Sequence, residues 1–182
     1  MLVLLTAAAA SGWALWGQRA SNGDSAAPAG RADYVLKDFQ LVSLDAQGKE
    51  AFTLSAPRLA RDPNAKTMDI TTPLFVIPPR AGSQGAPWEV RSTTGWVSAK
   101  GEELRLRGQV RATSTNVDNQ PISMATEQLN VFPKAKRATS SVAVTLSQPG
   151  LTMNGRGLEA DLASQHAILK SDVKGRYESS AR

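Results

Sequence analysis

The chain has 182 residues, of which 41% are hydrophobic and 20% are charged, a composition typical of a globular protein rather than a disordered one. Its 21 Lys and Arg residues against 16 Asp and Glu residues give a net charge of +5. The absence of cysteine excludes disulfides, thiolate nucleophiles and Cys-based metal sites, and the single histidine excludes a multi-histidine metal site. The positive charge favours anionic partners in general, such as phosphate groups, lipid headgroups or nucleic acid.

The first segment, residues 1–18, has the composition of a membrane helix. Met1–Gly17 contains no charged residue, and Trp13 and Trp16 precede Arg19, as at a membrane interface. Seventeen helical residues span about 26 Å, slightly less than a hydrocarbon core of about 30 Å. We therefore predict a retained N-terminal transmembrane anchor, with a cleaved signal peptide and a buried soluble helix as the alternatives.

Residues 32–178 are predicted to form one all-β domain. The small and polar residues at 19–31 indicate a flexible tether ahead of it. From Asp33 onward hydrophobic residues recur with a period of two, and no stretch of twelve residues keeps a helical period. The segment Tyr34–Leu41, followed by turn residues at Asp45–Gly48, predicts the first strand.

The β domain contains a four-fold internal repeat. Matching offsets carry hydrophobic residues, and a turn signal follows about a dozen residues after each start, so that each repeat predicts a pair of strands. The repeats start at Phe52, Trp88, Ile122 and Leu151. Their fifth positions carry small residues, which predict a bend or a close approach between layers: Ala56, Ser92, Thr126 and Gly155. The second strands are expected to turn Leu74, Val110, Val144 and Val173 to the same side. Pro78–Pro87 and Thr113–Pro121 are predicted to be loops.

Stacked strand pairs of this kind predict an open antiparallel sandwich of two sheets with their apolar faces inward. An open sandwich exposes backbone donors and acceptors on its first and last strands, where a partner can add a strand. The candidate edge residues are Tyr34, Leu36, Leu169, Val173 and Tyr177.

The sequence shows no arrangement typical of catalysis. His166 is alone and is predicted to lie in a turn, while Glu159 and Asp161, although on one face of a strand, are interpreted as solvated acids. We therefore expect no enzyme activity, no metal and no cofactor. Two basic clusters remain, Lys134–Arg137 and Lys170–Arg176. An aromatic content of 5% argues against nucleic acid, and anionic lipid headgroups suit these clusters better if they bind anything.

The order of several motifs resembles the LptC family of lipopolysaccharide-export proteins. The motifs are Y-x-L at 34–36, G-x-x-x-F-x-L-x-A at 48–56, G-x-G-L-x-A-D-L at 155–162 and L-x-x-x-V-x-G-x-Y at 169–177. The resemblance implies a single-pass protein of the inner membrane with a β-jellyroll-like domain in the periplasm. It also implies transfer of lipopolysaccharide from the permease subunits of an inner-membrane ABC transporter to a soluble periplasmic bridge protein of similar fold, with strand edges joining the folds.

The residues and the resemblance together favour a non-enzymatic module that binds lipopolysaccharide. Acyl chains need apolar area rather than directional bonds, and a two-layer interior supplies it. The predicted ligand-binding residues are Phe52, Leu54, Trp88, Val90, Leu106, Ile122, Met124, Leu151, Met153 and Leu169. One alternative is a structural adaptor that joins partners by edge pairing and holds no lipid, in which case these side chains form a dry core. A glycan hydrolase using Glu159 and Asp161 is the enzymatic alternative.

Overall fold

The computed structural model describes residues 34–45, 47–79, 86–116, 118–162 and 166–177. This described part is built of strands and turns. Within it, no helix has the length and hydrophobicity needed to span a membrane. The predicted anchor at 1–18 and tether at 19–31 lie outside the described residues.

Eleven strands make up the described part, and they confirm the predicted all-β class. They are β1 (Val35–Leu44), β2 (Glu50–Arg61), β3 (Met68–Thr71), β4 (Leu74–Ile77), β5 (Trp88–Arg91), β6 (Thr94–Val97), β7 (Leu104–Thr115), β8 (Pro121–Phe132), β9 (Arg137–Gln148), β10 (Leu151–Asp161) and β11 (His166–Tyr177). The four repeats are four strand pairs, as predicted: β2 with β3–β4, β5–β6 with β7, β8 with β9, and β10 with β11. In the first two pairs one arm is broken into two short strands.

The strands form one antiparallel hydrogen-bonded network, and the prediction of two separate sheets is wrong in this respect. Strands β7 to β11 follow one another in sequence order, and β1 pairs with β2. Between β2 and β7 lie two short pairs side by side, β4 with β5 and β3 with β6. One half of the fold contains the pair β4–β5 and the other half contains the pair β3–β6. The long strands run through both halves, so the sheet is continuous from one half to the other.

Irregular positions near the middle of the long strands, and between the short strands β3 and β4, explain how one sheet can form two layers. Positive φ angles occur at Asp38 (44°), Thr72 (42°), Gly108 (74°), Gly157 (74°) and Asp172 (52°). The pairing register shifts close to several of these points, in β7–β8, β8–β9, β9–β10 and β10–β11. Such bulges bend strands and increase their twist. We call this level of the fold the waist.

The core lies between the two halves of the bent sheet. Thirteen hydrophobic residues of the described part are buried, and Leu106, Val110 and Val144 are 1% exposed or less. A single flat sheet leaves both faces open, so burial this complete requires the sheet to cover its own inner face. The buried residues form one cluster with contributions from both sides of the waist.

Two local predictions need correction. The predicted loop Thr113–Pro121 is shorter, because β7 continues to Thr115 and β8 begins at Pro121. The chain before β5 runs beside this end of β7, and the Ser114 hydroxyl donates to the carbonyl oxygen of Ala86 at 3.0 Å. His166 is not in a turn, because it pairs with Asp161 as the first residue of β11.

Candidate functional site

One row of inward side chains crosses nine strands of the sheet and forms the centre of the candidate site. Each member is the register partner of the next, so the row follows directly from the strand pairing. We call it the inner apolar row. It contains Leu41, Leu54, Phe75, Val90, Ala112, Met124, Leu146 and Met153, and it ends at Gly175.

Burial along the inner apolar row falls toward the ends of the sheet. Leu54 is 5% exposed, and Phe75 and Val90 are 7% and 8% exposed. Met124, Leu146 and Met153, on β8 to β10, are half-buried. On the other side of β2, the β1 member Leu41 is 41% exposed. The apolar interior is therefore closed in the middle of the row and accessible toward its ends.

A second set of apolar residues lies two positions further toward the strand ends. This rim row contains Phe52, Ile77, Trp88, Ile122 and Leu151, which are half-buried or, for Ile77, 39% exposed. Phe52 packs edge-on against Phe75 of the inner apolar row, with ring centroids 5.7 Å apart. The two rows together form an apolar surface at one end of the interior, with the polar residues Ser114 and Gln148 at the rim positions of β7 and β9.

Small residues line the waist, as the repeat predicted. Ala56, Ser92, Thr126 and Gly155 are all buried. The Thr126 hydroxyl donates to the carbonyl oxygen of Ala143 at 2.8 Å, and the Ser92 hydroxyl donates to that of Thr94 at 3.0 Å. Among the described residues, no buried side-chain nitrogen or oxygen lacks a hydrogen-bond partner. The polar atoms of the waist are therefore hydrogen-bonded, and they add no unpaired polar group to the apolar interior.

The structure brings together eight of the ten predicted ligand-binding residues. Phe52, Leu54, Trp88, Val90, Ile122, Met124, Leu151 and Met153 occupy the inner apolar row and the rim row. Leu106 and Leu169 lie beyond the waist, in the other half of the fold. Leu106 is 1% exposed and is a core residue in this structure, and Leu169 is partly buried against the core.

Sequence reasoning missed Phe75, Leu146 and Leu41, which share the inner apolar row. In the first repeat the buried proline Pro73 shifts the alternation by one residue, so Phe75 faces inward while Leu74 lies on the opposite face. Leu146 continues the period-two pattern of β9 by two residues beyond Val144, and that continuation was the available signal.

The outermost strands, β1 and β11, are the exposed edges of the described sheet. Tyr34 is 43% exposed, Leu36 is 36% exposed and Tyr177 is 81% exposed. Val173 was expected to lie on an edge strand and to face the interior. It lies on the edge strand β11, but its side chain is 53% exposed and does not face the interior. It differs from Val110 and Val144 because β11 has a partner strand on one side only, and little of the opposite layer covers it.

The carboxylates of Glu103 and Glu159 are held in ion pairs on the outer face. Both oxygens of Glu103 accept from the Arg105 guanidinium at 2.9 Å, and this hydrogen bonding lowers the pKa of the Glu103 carboxyl. Glu159 pairs with Lys170 and Arg137. No group of three or more His, Cys, Asp or Glu side chains in the described ranges is placed to hold a metal ion. The geometry of the interior instead provides a hydrocarbon-compatible surface.

Comparisons with known proteins place the chain in a family. A crystal structure of LptH, the LptA homologous periplasmic component of the lipopolysaccharide transport device from Pseudomonas aeruginosa, is similar with a TM-score of 0.45 and 12% identity, covering 80% of this chain and 94% of that one. No curated protein matches the sequence significantly. The family model described as lipopolysaccharide-assembly, LptC-related, matches residues 1–178. Because this match spans nearly the whole sequence, the chain belongs to the LptC-related family of lipopolysaccharide-assembly proteins.

Proposed function

We propose that this protein is a non-enzymatic transfer module that binds lipopolysaccharide in its apolar interior. In this proposal it receives the lipid from the permease subunits of an inner-membrane ABC transporter and passes it to a soluble periplasmic bridge protein of similar fold. Residues 1–18 anchor it in the inner membrane by a single span, residues 19–31 act as a tether, and residues 32–178 form the periplasmic domain. Membership of the LptC-related family supports this assignment.

The inner apolar row is the observation that carries the proposal. Its apolar side chains come from eight strands, and its β8–β10 members are half-buried rather than sealed in the core. Transfer of acyl chains from water to such a surface gains about 0.8 kcal/mol per methylene, so about six methylenes gain about 5 kcal/mol. No covalent step and no directional bond is needed to hold the lipid.

The edges of the sheet supply the proposed route of transfer. The row reaches both outermost strands, at Leu41 of β1 and Gly175 of β11. A partner strand added beside either edge would bond to the unpaired backbone and would place its own alternate side chains in line with the row. Tyr34, Leu36, Leu169, Val173 and Tyr177 are the proposed edge contacts. An acyl chain could then pass between partners without crossing water.

Site-specific photocrosslinking in Gram-negative cells tests the lipid-binding step. A photoreactive side chain at Met124, in the half-buried part of the inner apolar row, is expected to capture lipopolysaccharide. The matched control is Thr113 on the adjacent strand β7. Thr113 is exposed, and its chain neighbour Ala112 faces inward as the register partner of Met124. Equal capture at Met124 and Thr113, or capture at neither while the protein is folded, would contradict lipid binding in the interior.

A structural adaptor without bound lipid is the second candidate, and the exposure of β1 and β11 favours it. Val42 and Leu44 of β1 are 54% and 62% exposed, and Ile168 and Val173 of β11 are each 53% exposed. If the protein is only an adaptor, Val173→Pro abolishes partner assembly, whereas Met124→Ser affects lipid export only as far as it lowers stability. If the transfer proposal holds, Met124→Ser reduces lipid capture with assembly and folding intact.

A further inference from the structure

A second surface feature lies on the outer face of β8–β11, on the opposite side of the sheet from the apolar interior. It is an open cleft of about 440 Å³ at the level of the waist. Gly157 and the inward-facing Leu158 form its floor, where the irregular pairing of β9, β10 and β11 interrupts the regular surface. Gly157 has no side chain, and its positive φ of 74° bends β10 at the cleft.

Three cationic side chains from three different strands line this cleft. They are Arg137 of β9, Arg156 of β10 and Lys170 of β11. Arg137 and Lys170 are each about half exposed, and both contact the carboxylate of Glu159. Within the described ranges, the Arg156 side chain makes no ion pair or hydrogen bond. With Glu159 counted, the group carries three positive charges and one negative charge, a net charge of +2.

Glu159 forms ion pairs with two of the cations. One carboxylate oxygen lies 3.2 Å from a terminal guanidinium nitrogen (Nη2) of Arg137, and the other lies 2.9 Å from Nζ of Lys170. The hydrogen bond from Lys170, followed by the charge of Arg137, keeps the pKa of the Glu159 carboxyl below its ordinary value. The carboxylate therefore stays charged at neutral pH and offsets part of the positive charge of Arg137 and Lys170.

Neutral polar groups also line the cleft. The amide oxygen of Asn130 already accepts a hydrogen bond from the Arg107 guanidinium at 2.7 Å. The NH₂ group of Asn130 can therefore donate to a ligand in the cleft. Thr139 adds a hydroxyl group, whereas the Ser171 hydroxyl already donates to the carbonyl oxygen of Arg156 at 3.4 Å. Cations and donors converging from four strands are suited to a tetrahedral oxyanion, which accepts several charge-assisted hydrogen bonds at once.

We propose that this outer cleft binds a phosphate group, carried either by an anionic phospholipid headgroup or by a soluble phosphate. The site is separate from the interior, because alternate residues on a strand point to opposite faces. Its failure would leave the proposed acyl-binding function intact. Because the cations are half exposed, we expect a dissociation constant of about a millimolar at low salt, with weaker binding as ionic strength rises.

NMR of the arginine side chains in the full chain, held in maltoside micelles at low salt, tests the proposal. Titration with inorganic phosphate is expected to shift the Arg156 Nε–Hε signal saturably, with chloride at equal ionic strength as the reference. Arg156→Gln and Lys170→Gln are expected to weaken phosphate binding at least 5-fold, as measured by calorimetry. Lys174→Gln is the matched control, because it removes the same charge from β11 outside the cleft, and it should change binding less than 2-fold.

Two further arms identify the source of the phosphate and test the charge argument. Micelles doped with phosphatidylglycerol, but not with phosphatidylcholine, shift Arg156 if the source is an anionic lipid, whereas a response to inorganic phosphate alone identifies a soluble source. Glu159→Gln should tighten binding by raising the net charge from +2 to +3. The proposal is overturned if chloride shifts Arg156 as phosphate does, or if Lys174→Gln weakens binding as much as Lys170→Gln.

Discussion

Adding a single methyl group at Gly155 tests whether the small residues at the waist are required for close approach of strands. Gly155 is buried and has no positive φ, so a change to alanine introduces a steric effect without backbone strain. A Cβ there would lie 3.2 Å from Cβ of Leu169 and 3.3 Å from the carbonyl oxygen of Ser171. Neither atom can move by a side-chain rotation, so β11 must shift.

The expected magnitude follows from two opposing effects. Overpacking costs about 1–3 kcal/mol, while replacing glycine by alanine within a strand regains about 0.5–1 kcal/mol, so Gly155→Ala should destabilise by about 0.5–2 kcal/mol. Gly175→Ala on the same hairpin is the control, because a Cβ there has nothing within 4 Å and should stabilise by about 0.5 kcal/mol.

Urea unfolding followed by circular dichroism measures the difference. With a slope of about 2 kcal/mol per molar urea, the midpoint for Gly155→Ala should lie about 0.5–1.3 M below that for Gly175→Ala. If the two variants unfold at the same urea concentration, the close approach at the waist does not restrict residue size, and our interpretation of the small-residue positions is wrong.

Three other predictions concern the core, the ion pairs and the bulges. Leu106→Ala should lower the free energy of unfolding by about 2–5 kcal/mol in urea titrations, because Leu106 is 1% exposed, and a loss under 1 kcal/mol would contradict its core position. Lys170→Gln should raise the pKa of Glu159 toward its ordinary value in carboxyl ¹³C NMR titrations. Since that pKa is lowered in the folded protein, the ion pair is present at neutral pH and is lost as acid protonates Glu159. An unchanged pKa would refute the assigned contact. Gly108→Ala should destabilise by about 2–5 kcal/mol in thermal or urea unfolding, against about 1–2 kcal/mol for Gly101→Ala. Both glycines have positive φ, but only a Cβ added at Gly108 would meet another side chain, that of Thr93, at 2.8 Å; equal losses would contradict this clash.

The repeat could be predicted from sequence because each strand pair solves the same burial problem with the same alternation. Phe52, Trp88, Ile122 and Leu151 begin arms that the structure aligns at one end of the fold, and three of the four turn signals fall between the paired strands of the described part. Composition cannot show hydrogen bonding across a bend, which is why two sheets were expected where the strands continue through the waist.

The errors at individual residues have equally local causes. Alternation assigns a face only until the next bulge, because one inserted residue reverses every later side chain. Leu74 is misassigned beside the irregularity at Thr72 and Pro73. Val173 follows the irregular Asp172 and lies on an edge strand with cover from one side only. The period-two pattern therefore predicts the strands more securely than it predicts which face of the sheet an apolar residue occupies or what covers that residue.

The bulges that interrupt the pattern also link the two proposed sites. At β10, Gly155 and Gly157 lie on the buried waist, and Arg156 between them lies on the outer face beside the cleft. A straight strand would offer a flat outer surface and an inner surface that could not fold over the core. Bending at one level of the sheet therefore encloses the apolar rows on one side and gathers Arg137, Arg156 and Lys170 on the other. Because the two features use opposite faces, substitutions at Met124 and at Arg156 should separate hydrocarbon binding from phosphate binding.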